Sequence, residues 1–184
     1  MPIKPIIHKR TLLTGSRLFS IESIELEFSN GAKRQFERLT RSNSTGAVLI
    51  VPLLDAGTVL LVREYAAGVD RYELGLPKGR VEAGEPVLEA ANRELMEEVG
   101  YGARKLKKLT TMTLAPGYME HEIDIILAQD LYPEKRTGDE PETLEVVPWK
   151  LSQLKQLITG GECTEARSIA ALYLIRDFVT DGKP

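Results

Sequence analysis

Arg93-Glu94 and Glu97-Glu98 flank Leu95-Met96, and Gly100 follows closely behind them. On a helix, the carboxylates at 94, 97 and 98 are i, i+3 and i+4 neighbours and crowd one side. Like charges at that spacing cost roughly a few tenths of a kcal/mol per pair, so something must offset them. A hard divalent cation held by oxygen ligands does so. The bland alternative is a solvated acidic face on a surface helix. Two features weigh against it. The first is where Glu94 and Glu98 fall beside the apolar stripe; the second is the glycine-rich turn before the helix.

Projected at about 100° per residue, 86–99 places Leu88, Ala91, Leu95 and Val99 on one stripe. Glu98 and Glu94 then lie roughly 60° and 100° to one side of Leu95, with Glu97 farther round. Carboxylates at the border of a buried stripe are disfavoured by desolvation unless they are compensated. Pro86 suits the first helical turn and Gly100 a left-handed stop. Gly79 and Gly84, upstream, let the backbone bend sharply or pass close to a ligand.

The surrounding elements must hold this helix. Residues 1–15 read as irregular, because Pro2 and Pro5 discourage a helix. From Leu18 to Arg38 apolar residues mostly alternate, interrupted by Asn30-Gly31, a hairpin signal in which both turn residues need positive φ. Ala47–Leu54 and Val59–Tyr65 are β-rich runs joined by Asp55-Ala56-Gly57. Further strands are expected at 106–115 and 122–129, around the loop Pro116-Gly117-Tyr118. Tyr132–Glu145 reads as a mobile polar loop, and Val146–Trp149 as a short strand that Pro148 confines to an edge or a strand end. Helices are expected over Leu151–Ile158 and Glu165–Val179, the second with a stripe of Ala166, Ile169, Ala170, Leu172, Tyr173 and Phe178. The result is a mixed α/β sheet with helices on its outside, residues 46–184, preceded by an N-terminal β-hairpin arm, residues 1–45.

At 184 residues the chain suits one domain with a sizeable core, and 42% hydrophobic with 28% charged content is ordinary for a globular protein. A net charge of -3 provides no basic field for nucleic acid or a membrane surface. An anionic substrate must therefore be held by a few local cations or metals. The single cysteine, Cys163, excludes an intramolecular disulfide. No apolar run approaches the ~20 residues that span a bilayer, and no signal-peptide segment opens the chain, so a cytoplasmic location is expected.

Gly79, Glu85, Arg93-Glu94-Leu95, Glu97-Glu98 and Gly100-Tyr101, at these spacings, resemble the complete signature box of the Nudix hydrolases. That resemblance implies a mixed sheet sandwiched between helices, with the box forming a loop–helix–loop. It implies cleavage of a nucleoside diphosphate linked to another moiety with Mg²⁺, Mn²⁺ being possible, and one to three ions. Glu94 and Glu98 would ligate the metal, Glu97 would assist directly or through water, and the Lys78 carbonyl would add a ligand. Glu85 and Arg93 would pair and brace the loop.

Outside the box, Ser16–Ser20, Glu27–Gly31, Arg63-Glu64-Tyr65, Tyr72–Gly75 and Asp130–Glu134 resemble ADP-ribose pyrophosphatases, and most of all the NudE-type hydrolases of ADP compounds. In those, an aromatic corresponding to Phe36 stacks on adenine and a cation corresponding to Arg41 lies near the base and diphosphate. Phe36 could equally be an inward strand residue, and Arg63 could reach a phosphate or pair with a local carboxylate. Ala66 stands where many ADP-ribose pyrophosphatases have an arginine, and Pro77-Lys78 replaces their usual Ala-Gly. Both departures favour broader hydrolysis of ADP-linked compounds.

A general base must take the proton from the attacking water. By resemblance it comes from the acidic loop 138–142, as Glu140 or Glu142, with Glu140 slightly preferred. Glu120 and Glu122 are secondary candidates, while His8 and His121 read as ordinary surface histidines. The apolar N-terminal hairpin, with Phe19, Ile21 and Phe36, suggests a homodimer in which the arm helps build an adenosine pocket. The rival readings are a silent nucleotide-binding module, a phosphomonoesterase, a sugar-nucleotide pyrophosphohydrolase and an RNA 5′-end pyrophosphohydrolase. The intact carboxylates disfavour the first, and the charge balance disfavours the last.

Overall fold

The computed structural model describes residues 2–41 and 45–180. They group into two units, one formed by 2–41 with 113–122, the other by 45–112 with 123–180.

The first unit is a three-stranded antiparallel sheet, β1 (Ile6–Gly15), β2 (Phe19–Glu27) and β3 (Lys33–Arg41), in that order. The expectation that 1–15 is irregular is therefore corrected. Pro2 and Pro5 bar a helix but do not bar a strand beginning just after them, and Ile6, Ile7, Thr11 and Thr14 are β-branched. The Asn30-Gly31 hairpin forms, but with a different turn. Gly31 N donates to the Phe28 carbonyl (2.8 Å) and Phe28 N to that of Ala32 (2.9 Å), and only Gly31 takes positive φ. This is a three-residue loop with a bulge, so Asn30 stays at negative φ and uses its side-chain oxygen to accept from Ala32 N (3.0 Å). Residues 113–122 are stitched to β3 by Leu39 N to the Tyr118 carbonyl and Glu120 N to the Leu39 carbonyl, both 2.8 Å.

The second unit holds a mixed seven-stranded sheet. Its strands are β4 (Ala47–Asp55), β5 (Thr58–Ala66), β6 (Arg71–Gly75), β7 (Lys78–Arg80), β8 (Tyr101–Thr113), β9 (Glu122–Pro133) and β10 (Glu145–Lys150). The main order is β10-β5-β4-β9-β8, with β4 and β9 parallel. β4 and β5 pair only near their hairpin, at Leu53↔Val59 and Asp55↔Thr58. Val62 pairs with Val146 of β10 and with Gly75 of β6, so those partners lie on opposite edges of β5. Val48 likewise pairs with both Gly79 and Asp124. β6 and β7 therefore fill the wedge opened where β4 and β5 diverge, and they carry Lys78 and Gly79 into it. Pro148 sits on the edge strand β10, where its missing N–H costs no ladder bond.

Strand alternation sorts the core onto the two faces of this sheet. Val48, Ile50, Leu60, Val62 and Ile126 pack with Ala90, Ala91, Leu95 and Val99. Leu49, Val51, Val59, Leu61 and Ile125 pack with Leu154, Leu157, Ala171, Leu172 and Ile175. The first layer is helix α1 (Val87–Glu94), continued by a π-helical turn, Leu95–Val99; the second is α2 (Leu154–Thr159) and α3 (Ala166–Thr180). The expected stripe is met only in part: Leu88, in the first turn of α1, is 39% exposed, while Ala90 joins the buried side. On α3 the buried stripe runs through Ser168, Ala171, Leu172 and Ile175, so Ala166 and Ala170 face outward instead. Ser168 belongs inside because its hydroxyl accepts from Leu76 N at 3.1 Å.

Candidate active site

The loop before α1 is built around one guanidinium. Arg93 binds Glu85 in bidentate fashion (2.9 and 3.0 Å) and donates to the Arg80 carbonyl (2.9 Å). Its other nitrogen donates to Glu94 (2.8 Å) and Glu97 (3.0 Å). The pairing expected of Glu85 and Arg93 is thus made, and it closes the 80–85 turn onto the helix. The Arg93 bond holds the Glu85 carboxyl below its ordinary range, while chiefly the same bond raises Arg93.

Glu94 and Glu98 are the buried carboxylates of this unit, 8% and 5% exposed. Burial is the first cause raising both; Glu98 is pushed up to about 8. Lys78 opposes that shift at Glu98 and Glu64 adds to it, whereas Arg93 opposes it at Glu94, and Glu97 and Glu140 add to it. Lys78 N donates to Glu98 at 3.2 Å, and Lys78 Nζ pairs with Glu64 at 2.5 Å. Gly79 lies directly against Glu94, since a Cβ there would stand 1.9–2.1 Å from the carboxylate atoms. The need for glycine at 79 is therefore close approach. Gly100, by contrast, is needed for conformation, ending the π turn at φ 79°.

The π turn frees carbonyls that the acidic loop then takes up. Arg136 N donates to the Met96 carbonyl and Glu134 N to that of Gly100, both 3.1 Å, and Lys135 Nζ bonds the Glu97 carbonyl. The loop thereby runs beside the carboxylate helix. A cavity of about 400 Å³ is lined by Glu97, Lys135, Gly138, Glu140, Glu142 and Leu144. Glu140 folds over Gly138, while Glu142 accepts from the Tyr72 hydroxyl at 2.7 Å.

Arg63 makes the carboxylate contacts weighed for it, to Glu145 (2.8 Å) and Glu162 (3.0 Å). Phe36, expected either inward or at adenine, is 42% exposed on the first unit, with its ring centroid 6.5 Å from that of Phe28. Arg41 ends β3 opposite Phe19, and its side chain lies outside the described residues. Glu120 and Glu122 belong to the first unit, where Glu120 lies 3.7 Å from Arg38. His8 is an exposed partner of Glu27 at 2.7 Å. Sequence reasoning passed over Glu64 and Tyr72, although both sit in stretches it singled out. Their roles depend on the β5–β6 pairing, which brings Glu64 opposite Glu73 and Tyr65 opposite Tyr72.

A hard divalent cation fits this donor set. The groups converging on β7 and α1 are carboxylate oxygens and the Lys78 peptide, with no thiolate or imidazole among them. Among the described residues no three acidic, histidine or cysteine side chains close around one point. Arg93 spans Glu94 and Glu97 instead, as expected when unscreened like charges need a counter-charge.

A mixed sheet between helix layers carries, in the wedge between β4 and β5, a glycine-to-carboxylate loop–helix suited to a hard cation. The chain belongs to the Nudix hydrolase family, whose members need divalent metal ions: the NUDIX domain matches residues 44–171, and the NudE-type Nudix hydrolase N-terminal domain matches 5–38. It is 47% identical to the ADP compounds hydrolase NudE of Escherichia coli (strain K12), over 96% of this chain and 94% of that one. It is 30% identical to the ADP-ribose pyrophosphatase of Bacillus subtilis (strain 168), over 85% of this chain and 83% of that one. A crystal structure of an ADP compounds hydrolase superposes with a TM-score of 0.89 at 45% identity, covering 99% of this chain and 97% of that one. Among the described residues no helix is long and apolar enough to cross a membrane.

Proposed function

We propose that the chain hydrolyses the diphosphate linkage of ADP-linked compounds, such as ADP-ribose, NADH or diadenosine polyphosphates, to AMP and a phosphorylated fragment. Mg²⁺, with Mn²⁺ as a substitute and one to three ions in all, offsets the diphosphate charge and lowers the pKa of the attacking water. Glu94 and Glu98 would hold the metal, with Glu97 and the Lys78 carbonyl completing the set, while Arg93 would keep its bonds to Glu85 and the Arg80 carbonyl. Glu140 takes the proton from water. Phe36 stacks on adenine and Arg41 lies toward the diphosphate, and the N-terminal sheet acts within a homodimer.

The observation that carries this reading is the pair of buried carboxylates, Glu94 and Glu98, set against Gly79 and the Lys78 peptide. Arg93 compensates Glu94 in part, whereas Glu98 is driven toward its neutral form by burial, so both carboxylates become anions together only with a further cation beside them. Support for ADP-linked substrates comes from the relatives' names, and support for Glu140 from its electrostatic contact with Glu94 while Tyr72 occupies Glu142.

The test is to incubate the purified chain with Mg²⁺ and a panel of ADP- and GDP-linked compounds, separating products by chromatography. AMP from the ADP-linked members is expected. Inorganic phosphate from monoesters, or release only from guanosine sugars, rejects the substrate class. Glu98→Gln is expected to lose at least about a hundredfold in kcat with a Tm no lower than wild type in the absence of metal. Full turnover by that variant at saturating Mg²⁺ removes Glu98 from the metal site.

A further inference from the structure

Tyr65 and Tyr72 face each other across β5 and β6, with ring centroids 5.5 Å apart and planes 64° apart. Both rings are about half exposed, and both hydroxyls are committed: Tyr65 to Asp70, and Tyr72 to Glu142 at 2.7 Å. Asp70 itself takes a left-handed φ of 55°, so the Tyr65 bond secures a turn that few side chains favour. The result is a bracket rooted in the β-sheet, with the Tyr72 phenol aimed at the acidic loop.

That loop is otherwise held at its two ends. Glu134 N and Arg136 N fasten its start to the π turn, and buried Leu144 fastens its finish in the core beside α1. Between them stands the 138–142 segment with the candidate base, over the cavity shared with Glu97. A loop anchored only at its ends sweeps its tip through many positions, whereas proton transfer needs the base within about 3 Å of the water. A charge-assisted hydrogen bond near the tip reduces that freedom.

We propose that Tyr72 is a positioning residue for the reaction: its hydroxyl grips Glu142 and so sets the acidic loop for Glu140 to reach the attacking water. The role rests on the assignment of Glu140 as base. It also gives the two loop glutamates separate duties, since a carboxylate already accepting a phenol proton is a weaker acceptor for a second one. The phenol is raised in pKa chiefly by the same bond, in keeping with a neutral donor on an anionic acceptor.

A double-mutant cycle on the full chain, assayed with ADP-ribose and Mg²⁺, tests this. Tyr72→Phe, which keeps the ring, is expected to lower kcat about tenfold with KM and Tm unchanged. Glu142→Ala should lose a similar factor, Glu142→Gln less because its amide oxygen still accepts the phenol proton, and the double variant Y72F/E142A no more than E142A. The proposal is overturned if Y72F keeps wild-type kcat, if the two losses multiply, or if E142Q is as inactive as a variant lacking its base. Glu140→Gln is measured alongside. Full turnover by E140Q rejects Glu140 as base, while the cycle separately reports whether the Tyr72–Glu142 bond governs turnover.

Discussion

Glu98 faces opposed demands, being nearly buried yet needed as an anion. Its pKa of about 8 follows from desolvation, which favours the protonated form in the metal-free fold. The unfolded chain releases that proton near the ordinary glutamate value, so between roughly pH 4.5 and 8 the folded state binds more protons than the unfolded one. Metal-free stability therefore falls as pH rises through that window and levels off above it. A cation binds only the anion, so the gain in Tm from added Mg²⁺ or Mn²⁺ should grow across the same window. Thermal melts of the metal-free and metal-loaded chain from pH 5 to 9 check this, and Glu98→Gln should flatten both trends. Gly79 sets a second constraint at this scale. Gly79→Ala is expected to displace the Glu94 carboxylate and weaken metal binding at least about tenfold by calorimetric titration, because the added methyl overlaps that group. Spacing in the sequence identifies the carboxylates and that glycine, but not which of the two demands on Glu98 dominates, since burial depends on strands distant in the chain.

Between elements, the brace at Arg93 joins the turn before α1, the helix and the π turn through one planar group. A lysine cannot reproduce the bidentate contact to Glu85 while also reaching Glu94 and Glu97. Arg93→Lys is expected to cost about 1–3 kcal/mol of stability and to lower turnover together with it, measured by denaturant unfolding and steady-state kinetics. Glu98→Gln, in contrast, should lower turnover without lowering metal-free stability. Leu95→Ala, removing a fully buried side chain beneath the same helix, should cost about 2–5 kcal/mol. Helix, caps and strands β4, β5 and β10 were legible because local pattern and tertiary packing agree there. The π turn was not, since a regular projection cannot anticipate a widened last turn or the hydrogen bonds by which the acidic loop takes up the Met96 and Gly100 carbonyls. β1 also escaped notice. Its ten residues are all exposed, so alternation between a buried and a wet face, the usual signal of a strand, is absent.

At the scale of the whole molecule, the two units differ in how they are stabilised. The second has two buried layers of large aliphatic side chains. In the first, Ser23 is the buried residue among those described, while Ile6, Leu12, Phe19, Ile21, Phe28 and Phe36 are each at least 36% exposed. A three-stranded sheet needs an apolar face covered to be stable in water. By register Phe19 and Ile21 lie on one face of the sheet, and Leu12 and Phe36 on the other with Ile24. Burying the apolar side chains of the Phe36 face contributes roughly 1.5–3 kcal/mol each, enough to decide whether the sheet persists. A second copy of the chain is the cover we propose, consistent with adenine stacking at Phe36 being completed across subunits. The expected solution mass is therefore that of a dimer by light scattering. Ile24→Glu places a charge beside Phe36 on that face and should shift the mass toward monomer. It should raise the KM for ADP-ribose through loss of the adenosine contacts, and leave the melting of the second unit's core in place. A fully active monomer, in the wild type or in this variant, would show that the N-terminal sheet is stabilised and used in some other way.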